Sequence, residues 1–240
     1  MWIDREDRGR LARRQVEYGR TRGGLPLLYV PADVRTGLLV HASIHGTEPD
    51  ALTTVSAALR MVPTGELRAD VILALNPEGI LRGTRCNDAG VELNRNFSEG
   101  WQGGKIGSRW TPESPMDTWL TTGTAPLSEP ETQALVDLHD ERQITHTVSV
   151  HGPLGCVEDP TGHTFSRELA EGLALPLIAD VGHPTPGCFG DWARSTGRVC
   201  ATVELPTLAV PELVRDYAER MAGLLAGHFA APAEHPREAA

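Results

Sequence analysis

Cysteine is scarce in this 240-residue chain: Cys86, Cys156, Cys188 and Cys200 are its four, far apart and with no C-x-x-C pair. That excludes a zinc ribbon and a disulfide-dense secreted scaffold, and leaves reduced thiols in a cytoplasm as the plain reading. Positive charge is also short. Lys and Arg number 22 against 32 Asp and Glu, a formal net charge of −10. A polyanion needs a basic face from which to release counterions, so nucleic acid and anionic membrane are excluded as general partners. An acidic enzyme still takes an acidic substrate if a few arginines converge inside a pocket. Long apolar runs are missing as well: the opening MWIDREDRGRLARRQ is dense in charge, and no later segment approaches the roughly 20 apolar residues that span a bilayer. The expectation is an unexported, cytoplasmic protein. Repeats at solenoid periods and long low-complexity segments are absent too.

What is present is enough apolar material, 40% of the residues, to bury one sizeable core. A single domain is expected over residues 1–226, with 227–240 (GHFAAPAEHPREAA) reading as a frayed tail. Apolar runs punctuated by Gly and Pro alternate with segments of helical period, the pattern of an α/β fold with helices on both faces of the sheet. LPLLYVP, GLLVHASI, DVILALN, THTVSVH and RVCATVEL read as strands, several of them buried. Pro49 to Val62 and Glu129 to Gln143 read as helices, the second with Ser128 as N-cap and Glu131 three residues on. Gly and Pro interrupt Glu171 to Pro176, so only a short helix is expected before it, and a last helix from Pro211 to about Leu225.

Polar, reactive side chains cluster where these strands end. His45 and Glu48 follow GLLVHASI, His151 ends THTVSVH, and Glu204 closes RVCATVEL. Open α/β sheets bind ligands at the carboxyl ends of their strands, so three strand ends point to one crevice. HGTE spaces His45 and Glu48 so that an imidazole and a carboxylate from one turn reach the same ion. A catalytic zinc takes three protein ligands and keeps a position open. His151 is the third ligand chosen, because it ends a buried strand ahead of the loop GPLG. An H-x-x-E alone is common, and the case rests on co-occurrence. His41, His139, His146 and His163 lack a partnering motif and read as structural or solvent-exposed.

The segment from Asn76 to Phe97, NPEGILRGTRCNDAGVELNRNF, gathers Arg82, Arg85, Asn87, Asn94, Arg95 and Asn96 in a glycine-punctuated loop after a buried strand. Arginine offers a planar fork for a carboxylate and fixed charge for a developing oxyanion, while asparagine adds neutral donors and acceptors. The loop reads as a pocket for an anion.

At these residues the chain resembles the zinc carboxypeptidase family of the carboxypeptidase A type. HGTE, GVELNRNF, VHGPLG and the Glu of VELP stand in the family's order, and the resemblance covers roughly Tyr18 to Pro206. Glu92 stands where the family usually has Asp, a position expected to support the loop. NPEG with GTRCN, HGPLGCVEDP and HPTPGCFGDW make the bacterial murein peptide amidases the most similar group within the family.

The resemblance implies a mixed, mostly parallel twisted sheet and one zinc ion per chain on His45, Glu48 and His151. The zinc acidifies a water while Glu204 takes its proton and later passes it to the leaving amine. Arg85 or Arg82 polarises the scissile carbonyl, and sequence does not separate the two. Asn94 and Arg95 bind the free carboxylate of a small peptide substrate, and His183 occupies the position of a substrate-capping tyrosine. Asp191 is expected to shape the specificity pocket, where it would receive the distal ammonium of diaminopimelate, or else to N-cap the helix at WARS. Cys156 and Cys188 are expected to be small buried residues. The implied reaction is hydrolysis of an amide beside a free carboxylate, foremost the γ-D-glutamyl-diaminopimelate bond of murein peptides. Trimming of another or modified C-terminal residue, and N-acyl amino acid deacylation of the succinylglutamate desuccinylase or aspartoacylase kind, stay open, as does a silent binding module. Oligomeric state is not readable.

Overall fold

A computed structural model describes residues 11–106 and 120–229. The charged segment 1–10 and residues 230–240 of the expected tail lie outside the described residues. In chain order the elements are β1 (Val16–Arg20), β2 (Pro26–Tyr29), β3 (Leu38–Ala42), α1 (Pro49–Met61), β4 (Ala69–Ile72), α2 (Pro77–Arg82), β5 (Lys105–Ile106) and β6 (Leu120–Thr121). There follow α3 (Pro130–Glu141), β7 (His146–His151), β8 (Leu154–Glu158), α4 (Thr164–Leu173), β9 (Leu177–Ile178), α5 (Phe189–Ser195), β10 (Val199–Pro206) and α6 (Val210–Leu225).

The main sheet runs β4-β3-β7-β10-β8-β9. Every pairing in it is parallel except that of β10 with β8. This is the mixed, mostly parallel sheet expected. Successive side chains of a strand point to opposite faces, and here the two faces carry different chemistry. Val40, Val148, Val150, Ala201 and Val203 face one core, with Val55 and Leu59 of α1, Leu169 of α4 and Met221 and Leu224 of α6. Leu39 and Cys200 face the other, with Leu135 and Leu138 of α3 and Phe189 and Trp192 of α5. The polar members of the alternation, Ser149 and His151 on β7 and Thr202 and Glu204 on β10, share this second face and form a floor beside α5.

Five expectations need correction. LPLLYVP forms a strand outside the main sheet: β2 pairs antiparallel with β1, and only an isolated bridge from Val30 to Val71 ties it to β4. Ser128 does not cap α3. Glu129 is the N-cap residue and Pro130 fills the first helical position, where its missing N–H costs nothing. The helix before Glu171 is not short, for α4 continues through Gly172 to Leu173. A glycine there serves packing, since a β-carbon would stand 2.0 Å from Cε1 of Phe229. That ring comes from the stretch read as tail, so Gly227 to Phe229 lies against the core. The loop GPLG shrinks to Gly152 and Pro153, because β8 starts at Leu154 and returns antiparallel along β10.

Candidate metal centre and active site

Beyond β3 the chain turns through Ser43, whose φ of 54° is left-handed and whose hydroxyl donates to the Glu48 carbonyl at 3.0 Å. Gly46 then meets α2 backbone to backbone: a β-carbon on it would lie 2.1 Å from the Gly79 carbonyl carbon and 2.5 Å from the Ile80 nitrogen. The glycines of HGTE and NPEG thus permit one close approach. Asn76 locks it, donating from Nδ2 to the Arg85 carbonyl at 3.2 Å while its Oδ1 accepts from Gly79 N at 2.9 Å. Glu48 stands at the N-cap of α1, where the helix dipole favours a carboxylate.

His45, Glu48 and His151 are buried together, with donor atoms all within 4.8 Å of one another. His45 Nδ1 lies 2.8 Å from Glu48 Oε1, His151 Nδ1 3.1 Å from Glu48 Oε2, and the two Nδ1 atoms 3.2 Å apart. The outer nitrogens face other partners: Ser149 Oγ at 2.8 Å from His151 Nε2, and Glu92 Oε1 at 3.3 Å from His45 Nε2. Burial pushes the Glu92 carboxyl up, but Arg85 and His45 outweigh it and hold it ionised well below the usual range. His45 thus places Nε2 beside one ionised carboxylate and Nδ1 beside another, Glu48. Burial likewise raises the Glu48 pKa, and His45 and His151 more than reverse it. Two imidazole nitrogens and a carboxylate gathered this closely in a buried space can hold a metal ion, and the nitrogen, nitrogen, oxygen set fits a borderline divalent ion.

Around this centre lies a cavity of about 190 Å³. Arg85 borders it, donating from Nε and Nη2 to one Glu92 oxygen at 3.0 and 2.7 Å and placing Nη1 3.5 Å from Glu48 Oε1. Asn94 and Arg95 also line it. Asn94 Oδ1 accepts from Phe189 N at 2.9 Å, and Arg95 Nη1 donates to the Asn94 carbonyl at 2.6 Å. Sheet register sets the floor in two rows. Glu204 pairs with His151 on β7 and Cys156 on β8; two residues earlier, Thr202 pairs with Ser149 and Glu158.

The structure therefore brings His45, Glu48, His151, Glu204, Arg85, Asn94, Arg95 and His183 to one cavity. It does not bring Arg82, which stands exposed at the end of α2 and pairs with Asp88. Asp191 is neither the N-cap, which is Cys188, nor among the lining residues; its Oδ1 accepts from Arg194 Nη2 at 2.6 Å. Asn87 and Asn96 are buried fasteners of the loop, bonded to Glu129 and to the start of α3. Glu92, expected only to support its loop, ties Arg85 to a member of the metal cluster. Cys156 and Cys188 are small and buried, as read. His139 is a core residue bonded to the Leu135 carbonyl and the Thr147 hydroxyl. Sequence reading missed Glu158, Thr202 and Arg194, which also line the cavity. The strict alternation of T-V-S-V-H and A-T-V-E-L was the available signal that polar residues shared a face.

A sheet of this order with two imidazoles and a carboxylate at its strand ends defines a metallopeptidase of the α/β class, and the sequence family agrees. Residues 71–203 match the zinc carboxypeptidase family model, and the chain belongs to that family. Murein peptide amidase A of Escherichia coli is 40% identical over 228 residues, covering 93% of this chain and 94% of that protein. Its namesake in Vibrio campbellii is 35% identical over 227 residues, covering 93% and 92%. Among solved structures, murein-tripeptide amidase from Escherichia coli O157 superposes with a TM-score of 0.86 at 38% identity, covering 93% of this chain and 96% of that one. Carboxypeptidase A of Helicoverpa armigera, at 16% identity and a TM-score of 0.71 over 92% and 69% of the two chains, shares the fold. No helix among the described residues is long and apolar enough to cross a membrane.

Proposed function

We propose that this chain is a zinc-dependent amidase that cuts the γ-D-glutamyl-diaminopimelate bond of murein peptides, acting at an amide beside a free carboxylate. The observation that carries the reading is the convergence on one cavity of a buried His/Glu/His donor set, a strand-end glutamate and an arginine pair, in a chain similar over nearly its whole length to murein peptide amidases. His45, Glu48 and His151 would hold the zinc ion, which would supply Lewis acidity and make a water more acidic.

The chain's own side chains do the rest. Glu204 stands opposite His151 in the sheet, within the same cavity, and serves as the base that takes the proton and the acid that returns it to the leaving amine. Arg85 offers fixed charge at the wall nearest Glu48 and stabilises the oxyanion. Arg82, turned to the surface, has no part in this. Asn94 and Arg95 take the free carboxylate of the leaving residue, and His183, which lines the cavity, takes the substrate-capping position. The four buried cysteines, which form no disulfide among the described residues, support a cytoplasmic place of action.

The test is to incubate zinc-loaded protein with L-alanyl-γ-D-glutamyl-diaminopimelate and with a panel of α-linked peptides and N-acyl amino acids, identifying products by mass. Release of diaminopimelate from the tripeptide is expected. Turnover confined to α-linked peptides or to N-acyl amino acids would overturn the choice of bond.

A further inference from the structure

The cavity holds charge that the reaction does not use. Arg194 of α5, Glu158 of β8 and Thr202 of β10 line it, and register places Glu158 beside Thr202, one row from Glu204. Two residues along a strand separate those rows by about 6.5 Å. The guanidinium is oriented: Asp191 Oδ1 holds Nη2 at 2.6 Å. Gly190 leaves room for this placement, since a β-carbon on it would stand 3.2 Å from Nη1 and 3.5 Å from Nη2. Glu158 is a carboxylate short of compensation. Burial raises its pKa, and the Thr202 hydroxyl and the Arg194 charge only partly offset that. An incoming ammonium would complete its solvation, and an incoming carboxylate would meet the Arg194 guanidinium at the cavity wall.

The geometry points to Glu158 and Arg194 as specificity residues that read a leaving residue whose side chain ends in its own ammonium and carboxylate. Glu158 takes the ammonium and Arg194, held by Asp191 as a positioning residue, takes the carboxylate. This rests on the function proposed above and deepens it. Reach supports the pairing: four C–C bonds of about 1.5 Å in zigzag carry the distal carbon of such a side chain roughly 5 Å from its α-carbon, close to the spacing of the rows. It also reassigns the ammonium from Asp191, which is engaged by Arg194.

The experiment uses L-alanyl-γ-D-glutamyl-X in which X is meso-diaminopimelate, lysine, 2-aminopimelate or norleucine, so that the distal carboxylate and ammonium are removed singly and together. Wild type is expected to favour diaminopimelate over each truncated residue. Arg194→Met should lower kcat/KM about 10- to 100-fold for diaminopimelate and 2-aminopimelate while leaving lysine and norleucine within about twofold; Glu158→Gln should do the same for diaminopimelate and lysine. Thermal midpoints and zinc content, compared with wild type, identify a variant that has lost its fold. Wild type that does not discriminate among the four residues overturns the proposal without any variant, and so does a uniform loss across all four in a folded variant. The same four residues in α-linked peptides, and calorimetric titration of the protein with the four free amino acids, separate this inference from the choice of bond. Absent γ-cleavage with the ordering retained sinks only the function, and γ-cleavage without the ordering sinks only the reader.

Discussion

Arg85 spends two hydrogen bonds, at 3.0 and 2.7 Å, on a single oxygen of Glu92. The same oxygen lies 3.3 Å from His45 Nε2, so one buried carboxylate orients a metal-cluster imidazole and the proposed oxyanion arginine together. Outer partners of this kind are typically worth about 10- to 100-fold in metal affinity. Glu92→Gln is therefore expected to weaken zinc binding by about that factor and to lower kcat as well, while Glu92→Asp, which keeps the charge, retains more of both. Zinc competition against a chromogenic chelator reads the first effect. Equal affinity in wild type and Glu92→Gln would detach Glu92 from the metal site.

Glu204 makes the complementary case, since it lines the cavity without joining the metal cluster. Glu204→Gln is expected to bind zinc at the wild-type level yet lose about 100- to 10,000-fold in kcat, the range of general acid–base catalysis. Metal analysis and product formation measured on one preparation separate the two effects. Full activity would remove Glu204 from the reaction.

Much of this arrangement was legible in the sequence, for reasons that can be named. His45 and Glu48 share one turn, and His151 and Glu204 end apolar strands, so local pattern and sheet topology together brought them to one crevice. Arg85 and Arg82 could not be told apart, because which arginine turns inward depends on the end of α2 and on a glycine contact between Gly46 and Gly79 that no local pattern encodes. Glu158, Thr202 and Arg194 stayed hidden because they meet only through the antiparallel register of β8 on β10 and the lie of α5 above it. Ser128 was a plausible cap by composition. A residue distant in sequence, Asn96, accepts from Glu129 N at the start of that helix instead.

The buried histidine His139 gives the fold an acid sensitivity of known sign. Burial lowers its pKa from 6.5 to about 4. Its Nδ1 donates to the Leu135 carbonyl at 2.7 Å, so Nε2 accepts from the Thr147 hydroxyl and the ring is neutral. Between pH 6.5 and about 4 the unfolded chain binds a proton that the folded chain refuses, so this contribution to stability is complete above the upper value and is lost as pH falls through that window. The loss is about 3 kcal/mol at most. His146, also lowered to about 4 by burial first and His163 next, acts in the same direction. Urea melts from pH 7 to 4 on metal-free protein should show a shallower acid slope for His139→Gln than for wild type. Parallel slopes would mean that His139 titrates normally.

Gly46 offers a steric test of how the metal turn is held. Its would-be β-carbon meets backbone atoms of Gly79, Ile80 and Thr84 at 2.1 to 2.5 Å, none of which can rotate away. Gly46→Ala is expected to cost about 1–3 kcal/mol as overpacking and to lower zinc affinity, because the turn bearing His45 and Glu48 must shift. A thermal melt with and without zinc checks both. A variant as stable and as zinc-competent as wild type would mean that α2 yields freely.

Asn96 separates the fastening of the loop from the chemistry it displays. Its side chain is fully buried. Nδ2 donates to the Thr122 carbonyl at 2.7 Å, the Ala125 carbonyl at 3.0 Å and Ser128 Oγ at 3.1 Å, and Oδ1 accepts from Glu129 N at 3.2 Å and the Thr132 hydroxyl at 2.8 Å. Asn96→Ala strands donors and acceptors at both ends and leaves a void, so a loss of about 3–5 kcal/mol is expected. Asn96→Asp keeps the acceptor but aims a carboxylate at two carbonyls, and it should be no better tolerated. Asn94 and Arg95 precede Asn96 on the same short turn and face the cavity. Protein that survives the substitution should therefore show a raised KM with kcat less affected, the mark of a misplaced carboxylate clamp rather than of a lost base. A fall in kcat at unchanged KM would instead tie this turn to the chemical step and contradict the division of roles between the Asn94–Arg95 pair and Glu204.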